Sequence, residues 1–334
     1  MHIRNMKTLI SMLCLLLTHF LYGQDVQFTQ FYTNSLYSNP AFAGSVHKPR
    51  IILHERVQWP GLDAQYLTSL ISFDTYFPKW HTGLGIYAIH DIQGNSKIKS
   101  NEIQGLYSYE IVGLKNKWVM RLGGQFGFIN RTLDYTNLIF PTQISQNGIN
   151  ASGTNNEKAQ SKSLVDLSFG GLIFSNNLWF GYSMYHLNEP NQSFIGEESD
   201  LPQKQIFIVG YKFTQTQKTN NSKSYTPTLH YKTQGKSDQI DCGIYFTNSD
   251  YMLGLWYRGI PILKQYNNNQ NNESCAFLFG YKFNFINISY TYDAIFSELT
   301  KASPYGAHEF NITVYPKSIP KSRQPMKRLP CPQF

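Results

Sequence analysis

Fourteen runs of about ten residues, each alternating apolar and polar side chains, occupy most of the chain between residues 50 and 315. They lie near 50–59, 65–75, 82–90, 101–111, 118–129, 164–174, 177–187, 205–213, 225–233, 239–246, 251–258, 275–284, 285–292 and 306–315. A period of two puts successive side chains on opposite faces of a strand, and about nine to eleven residues is what a tilted strand needs to cross a bilayer. After the N-terminal region no segment reaches the roughly 18 consecutive apolar residues of a membrane helix, so any membrane crossing must be made by strands. Aromatics make up 15% of the chain and charged residues only 15%, against about 25% charged in a soluble domain. Mean hydropathy is nevertheless negative, which is the balance of a wall with one apolar and one polar face. The expected fold is all-β: a transmembrane outer-membrane β-barrel of about fourteen antiparallel strands. A soluble β-sandwich with one buried face is the alternative.

The run at 118–129 shows the pattern most clearly. Trp118, Met120, Leu122, Phe126 and Phe128 fall on one face, and Val119, Arg121, Gly123, Gln125 and Gly127 on the other. The same division sets Val165, Leu167, Phe169 and Ile173 against Asp166, Ser168 and Gly170, and Phe310, Ile312 and Val314 against Glu309, Asn311 and Thr313. Connection lengths give an independent check. Odd-numbered connections such as 91–100, 130–163, 188–204, 259–274 and 293–305 are long. Even-numbered ones such as 76–81, 112–117, 175–176 and 247–250 are short. Outer-membrane barrels have this asymmetry, with short periplasmic turns and long surface loops. The connection near Pro60 and the polar stretch 214–224 are exceptions, and Pro227 requires its strand to begin or bulge there.

Arg4 and Lys7 precede an apolar run from Leu9 to Leu21, followed by Gly23. This reads as a secretory signal cleaved after Gly23. The domain reading is a signal peptide at 1–23, a periplasmic or luminal segment at 24–49, a barrel at 50–315 and a basic periplasmic tail at 316–334. Cys242, Cys275 and Cys331 remain after cleavage. An odd number without C-x-x-C spacing argues against a disulfide framework and against a structural metal site, although one bridge is permitted.

The segment after the signal is the one stretch that does not repeat. Phe28, Phe31, Tyr32, Asn39, Pro40, Phe42 and Gly44 are its candidate plug or partner-binding residues, with the aromatics expected at the periplasmic mouth of the lumen. Fourteen strands enclose more space than wall side chains fill, so the lumen must be plugged or conduct. Arg121, Asp166, Lys212, Asp241, Arg258, Lys282 and Glu309 fall on the polar faces of their runs and are candidate tethers for this segment. Part of the net charge of +8 sits in the tail, on Lys317, Lys321, Arg323, Lys327 and Arg328 among several prolines. That composition suits an extended end that either meets an acidic partner or is simply solvated.

The opening Gln27–Tyr32 with Asn39-Pro40-Ala41-Phe42-Ala43-Gly44 resembles the start of the PorP/SprF membrane proteins of the type IX secretion and gliding apparatus of Bacteroidetes. The resemblance continues through Gln58-Trp59-Pro60-Gly61, Gly83-Leu84-Gly85 with Asp91 and Gly94, and Ser289-Tyr290-Thr291-Tyr292-Asp293. It ends with His308-Glu309-Phe310 and Cys331-Pro332-Gln333-Phe334. Phe42 and Gln333 depart from it, since the family often has Tyr and a basic residue there. The resemblance implies a non-enzymatic outer-membrane component that assists export or surface anchoring of a secreted adhesin-like protein. Its implied partners are type IX components, that surface protein and outer-membrane lipid. It implies no cofactor and no nucleic acid.

A porin-like or fatty-acid-type transporter is the rival reading. A wall-bound lipid hydrolase would need a Ser/His pair, for which His54, His90 and Ser69 supply only the residue types. His308-Glu309 lacks a second His at helical spacing. Gly83-Leu84-Gly85 is not followed by a helix pattern, so it reads as a place where the wall bends or another segment comes close.

Overall fold

The computed structural model describes residues 25–62, 66–94, 98–113, 117–134, 144–145, 148–149, 160–194, 196, 198–215, 223–235, 237–260, 274–295, 305–316 and 329–331. Every alternating run becomes a strand. In chain order these are β1 (Arg50–Gln58), β2 (Tyr66–Phe77), β3 (Thr82–Gln93), β4 (Ile98–Val112), β5 (Val119–Leu133), β6 (Gln160–Phe174) and β7 (Leu178–Tyr185). They continue as β8 (Lys204–Tyr211), β9 (Lys223–Gln234), β10 (Ser237–Thr247), β11 (Tyr251–Ile260), β12 (Ser274–Phe283), β13 (Ile286–Ile295) and β14 (Ala307–Val314). Each pairs antiparallel with its chain neighbours, and β14 pairs with β1 from Ile51↔Val314 to Gln58↔Ala307, closing the barrel. An extra strand, Phe213–Gln215, prolongs the sheet beside β9. Two-residue strands at Ile144–Ser145 and Gly148–Ile149 form a small hairpin in the β5–β6 connection.

Side-chain alternation sorts the wall as the pattern predicts. Met120, Phe126, Phe128, Val165, Leu167 and Phe169 are exposed outward, while Arg121, Gln125, Asp166 and Ser168 are buried. The strands β4, β5 and β6 reach fifteen residues each, longer than their sequence windows. At their loop ends the outward positions are polar, as at Lys99, Asn101, Ser161 and Ser163. The hydrogen-bonded ladder therefore continues beyond the lipid, where apolar alternation no longer marks it. Pro227 lies inside β9, not at its start. The β8–β9 ladder stops at Gly210↔Thr228 and resumes at Phe213↔Tyr225, so the residue without an N–H sits where the seam is interrupted.

The connections separate the two ends. Chain entry to β1, exit from β14 and the turns at 78–81, 175–177, 248–250 and 284–285 share one end. The strand ends at Leu133, Gln160, Tyr185, Lys204, Ile260, Ser274, Ile295 and Ala307 share the other, where the expected long connection 91–100 is mostly strand because β3 runs to Gln93 and β4 starts at Ile98. By the barrel rule the first end is periplasmic and the second faces the cell surface. Cys242 and Cys275 share one row with Tyr257 of the intervening strand between them. Two strand spacings, about 10 Å, exceed disulfide reach, and both thiols are free.

Leu329 and Cys331 are buried in the same apolar cluster as the luminal segment. The end of the chain thus packs back, in place of hanging free along its whole length. Burial pushes the Cys331 thiol up to about 12.

Phe126 occupies the middle of β5 and faces lipid, which makes it a probe of the wall assignment. Phe126→Arg should lower stability by about 2–4 kcal/mol in reversible denaturant unfolding from vesicles, and Phe126→Leu by much less.

Candidate functional site: a plugged lumen

Residues 25–46 lie inside the barrel, where nearly all of them are buried. Their path starts at the surface end. Asp25 meets His186 at 2.7 Å and Lys204 at 2.6 Å, residues just past β7 and at the start of β8. Its amide also donates to Gln234 Oε1 at 3.1 Å at the end of β9. The chain then descends, turns through the short helix α1 (Ser35–Ser38) and a 3-10 turn at Pro40–Phe42, and reaches the periplasmic end at Gly44. Asn39 starts that last turn: its Oδ1 accepts the Ala41 amide at 2.9 Å, and Pro40 occupies the first turn position, where a missing N–H costs nothing. The segment therefore spans the lumen from end to end. The expected location at the periplasmic mouth holds only for its second half.

An irregular backbone inside a barrel must find hydrogen-bond partners in the wall. Glu309 accepts the amides of Thr29 at 2.6 Å and Gln30 at 2.9 Å. Arg56 bonds the same carboxylate and also reaches Asp293 at 3.1 Å. Arg258 bonds Asp293 at 3.0 Å and the Thr29 hydroxyl at 2.5 Å, while that hydroxyl donates to Asp293 at 2.6 Å. A second cluster holds the lower half. Arg121 donates to the carbonyls of Ala41 at 3.0 Å and Ala43 at 2.5 Å and pairs with Glu110 at 2.5 Å. Asp74 accepts the Gly44 amide at 2.8 Å and is itself held by Arg50 at 2.8 Å. Between the clusters, Ser183 and Tyr185 donate to the carbonyls of Ser38 and Tyr37 at 2.9 and 2.7 Å.

Shape matches chemistry. A Cβ added at Gly83, Gly123 or Gly170 would overlap Ala43, Ala41 or Asn39 respectively, so these three glycines, in one row with Ser108 between the first two, form a track on which residues 39–43 lie. This accounts for Gly83-Leu84-Gly85 as a close-approach site. Gly44, at φ +69°, then turns the chain toward the wall. Phe31 stacks on His230 at 4.5 Å and meets Trp256 edge-on at 4.7 Å, and Tyr32 contacts Tyr245 at 5.4 Å. Phe28 lies edge-on to His54 at 4.8 Å.

Of the residues singled out in the sequence, Phe28, Phe31, Tyr32, Asn39, Pro40, Phe42 and Gly44 are all in this plug. Arg121, Asp166, Asp241, Arg258 and Glu309 are buried on the inner wall. Lys212 and Lys282 are only half-buried and stand at the periplasmic rim, because their strands end there. Lys317, Lys321, Arg323, Lys327 and Arg328 lie outside the described residues. Arg50, Arg56, Asp74, Glu110, Asp25 and His186 were not singled out. Parity marks Arg50, Ile52, His54 and Arg56 as one face of β1, but Glu55 on the other face blurs which one is luminal.

The remaining candidates divide between the two faces of the wall, although Ser69 and His90 are cross-strand partners on the outer one. His54 faces the lumen, whereas Ser69 and His90 face lipid; His90 bonds Asn101 at 2.7 Å, and no hydrogen bond joins it to Ser69 among the described residues. His308 and Glu309 point to opposite faces, His308 toward Tyr290 at 2.8 Å. Among the described residues no group of three His, Cys, Asp or Glu side chains could hold a metal ion.

At the tip, burial would raise the Asp25 carboxyl, but His186 and Lys204 outweigh it and hold it well below 3.8. Burial likewise disfavours a charged His186, yet Asp25 and Asp166 on either side raise it from 6.5 to about 9.

A closed barrel with an apolar outer wall and a charged lumen filled by its own N-terminal segment defines an integral outer-membrane β-barrel protein. The model of type IX secretion system membrane proteins PorP/SprF matches residues 20–314, and the chain belongs to that family. No significant sequence match to a functionally characterised protein was found. Solved structures with a similar outline include the outer membrane protein Omp33 of Acinetobacter baumannii, at 5% identity and TM-score 0.45, covering 81% of this chain and 99% of that one. A FadL homologue of Pseudomonas aeruginosa covers 84% and 91% at 9% identity and TM-score 0.38.

The glycine track is tested by Gly123→Val, which should release residues 39–44 to protease and raise single-channel conductance. Gly124→Ala, with nothing within 4 Å of its added Cβ, should do neither. The tip contacts carry a pH dependence. The His186 contribution is complete below 6.5 and disappears as pH rises through about 9. The Asp25 contribution is complete above 3.8 and fades as pH falls below it. Proteolysis at residues 25–28 should accelerate above about pH 9, and His186→Ala should abolish that step.

Proposed function

We propose that this protein is a plugged, non-enzymatic component of the type IX apparatus that assists export or surface anchoring of a secreted adhesin-like protein. Family membership implies interaction with type IX components. The observation that carries the finer reading is the occupied lumen: the plug's own backbone is hydrogen-bonded to Glu309, Arg121 and Asp74, which favours a closed barrel over an open channel. A barrel closed in this way serves better as a binding platform than as a channel. Outer-membrane lipid surrounds the wall, and the basic tail from Lys317 to Arg328 supplies charge for an acidic periplasmic partner.

The rival is a porin-like or fatty-acid-type transporter. Crosslinked pull-down from native membranes should recover a large secreted surface protein together with type IX subunits, and purified protein in planar bilayers should conduct little. Substantial solute flux with neither partner recovered would overturn the reading in favour of transport.

A further inference from the structure

We propose that the amino-terminal end of the mature chain is displayed at the cell-surface mouth of the barrel, where it is the part of the plug that a surface partner meets first. The two ends of the plug are held differently. Residues 39–44 lie on the glycine track, bonded to Arg121 and Asp74, and continue directly into β1 at the periplasmic end. Displacing them breaks close backbone packing and several wall hydrogen bonds at once. The other end is held by side chains of the upper rim, Asp25 by His186 and Lys204 and Gln27 by Lys232 at 2.9 Å, and by the plug itself, where the Val26 carbonyl accepts from the Tyr37 hydroxyl at 2.7 Å.

The rim positions fix which end this is. His186 follows β7 and Lys204 opens β8, so both flank the long 186–203 connection; Gln234 ends β9 beside the turn to β10. All of them lie opposite the periplasmic turns. Beneath the tip is a cavity of about 50 Å³ lined by Asp25–Phe28, Lys204, His230 and Lys232. That is room for a few waters. The tip therefore borders a small cavity with room for water, which Phe31 also lines, while Tyr32 and Phe42 are buried among aromatic and wall side chains. Displacement from the surface side breaks a few polar contacts that water can replace; displacement from below must break the packed half first.

The test is epitope accessibility on intact cells, with the full-length protein in its native membrane. A short polar epitope is inserted between Gln24 and Asp25, in the Asn267–Asn272 connection as surface reference, or after Phe334 as periplasmic reference. Heat-modifiable gel mobility confirms that each variant forms a barrel. The amino-terminal and loop epitopes should bind antibody on intact cells with no gain on permeabilisation, and the carboxy-terminal epitope should be silent until permeabilisation. An amino-terminal epitope that labels only after permeabilisation, while the loop epitope labels before it, overturns the proposal. So does a reversed pattern of the two references. Neither outcome depends on recovery of the secreted partner, so this proposal and the proposed function fail separately.

Discussion

The structure depends on matching buried charge to buried backbone. Glu309 shows the exchange most compactly, because one carboxylate accepts two consecutive plug amides while paired with Arg56. Unpaired, any of these groups would be expensive to bury. The wall and the segment thus satisfy each other: an irregular chain has no ladder of its own, and the inner face of a fourteen-strand barrel cannot reach across its own lumen. Arg121 and Asp74 repeat the arrangement for the lower half, one giving hydrogen bonds to carbonyls and the other accepting one from an amide.

The two halves of the plug differ in how they resist displacement. Backbone lying on glycine is held by shape as well as by hydrogen bonds, since no side chain stands between it and the wall. The tip is held by charge at the end of long side chains beside a small cavity. A partner that engages one mouth of this barrel meets a different mechanical element from a partner that engages the other. For a membrane component of a secretion system, this distinction bears directly on which partner can reach the lumen.

Much of this was legible in the chain. Alternation located all fourteen wall strands and assigned Phe126 outward and Arg121 inward. It failed where local pattern and environment diverge: β4, β5 and β6 outrun their apolar windows, and Lys212 and Lys282 have luminal parity but stand at the rim. Arg50, Arg56 and Asp74 went unnoticed because a charge on a polar face acquires its role only from what lies opposite it.

The sequence by itself determined a wall of about fourteen strands, the face most side chains take and the presence of one segment that is not wall, because period-two patterning and turn chemistry are local. Tertiary structure decided where that segment lies. Thr29 finds Asp293 at a separation of 264 residues and Gln30 finds Glu309 at 279, after the ring of strands has closed. No local pattern encodes such pairs. The route of the plug from the surface rim to the periplasmic end is a property of the closed barrel.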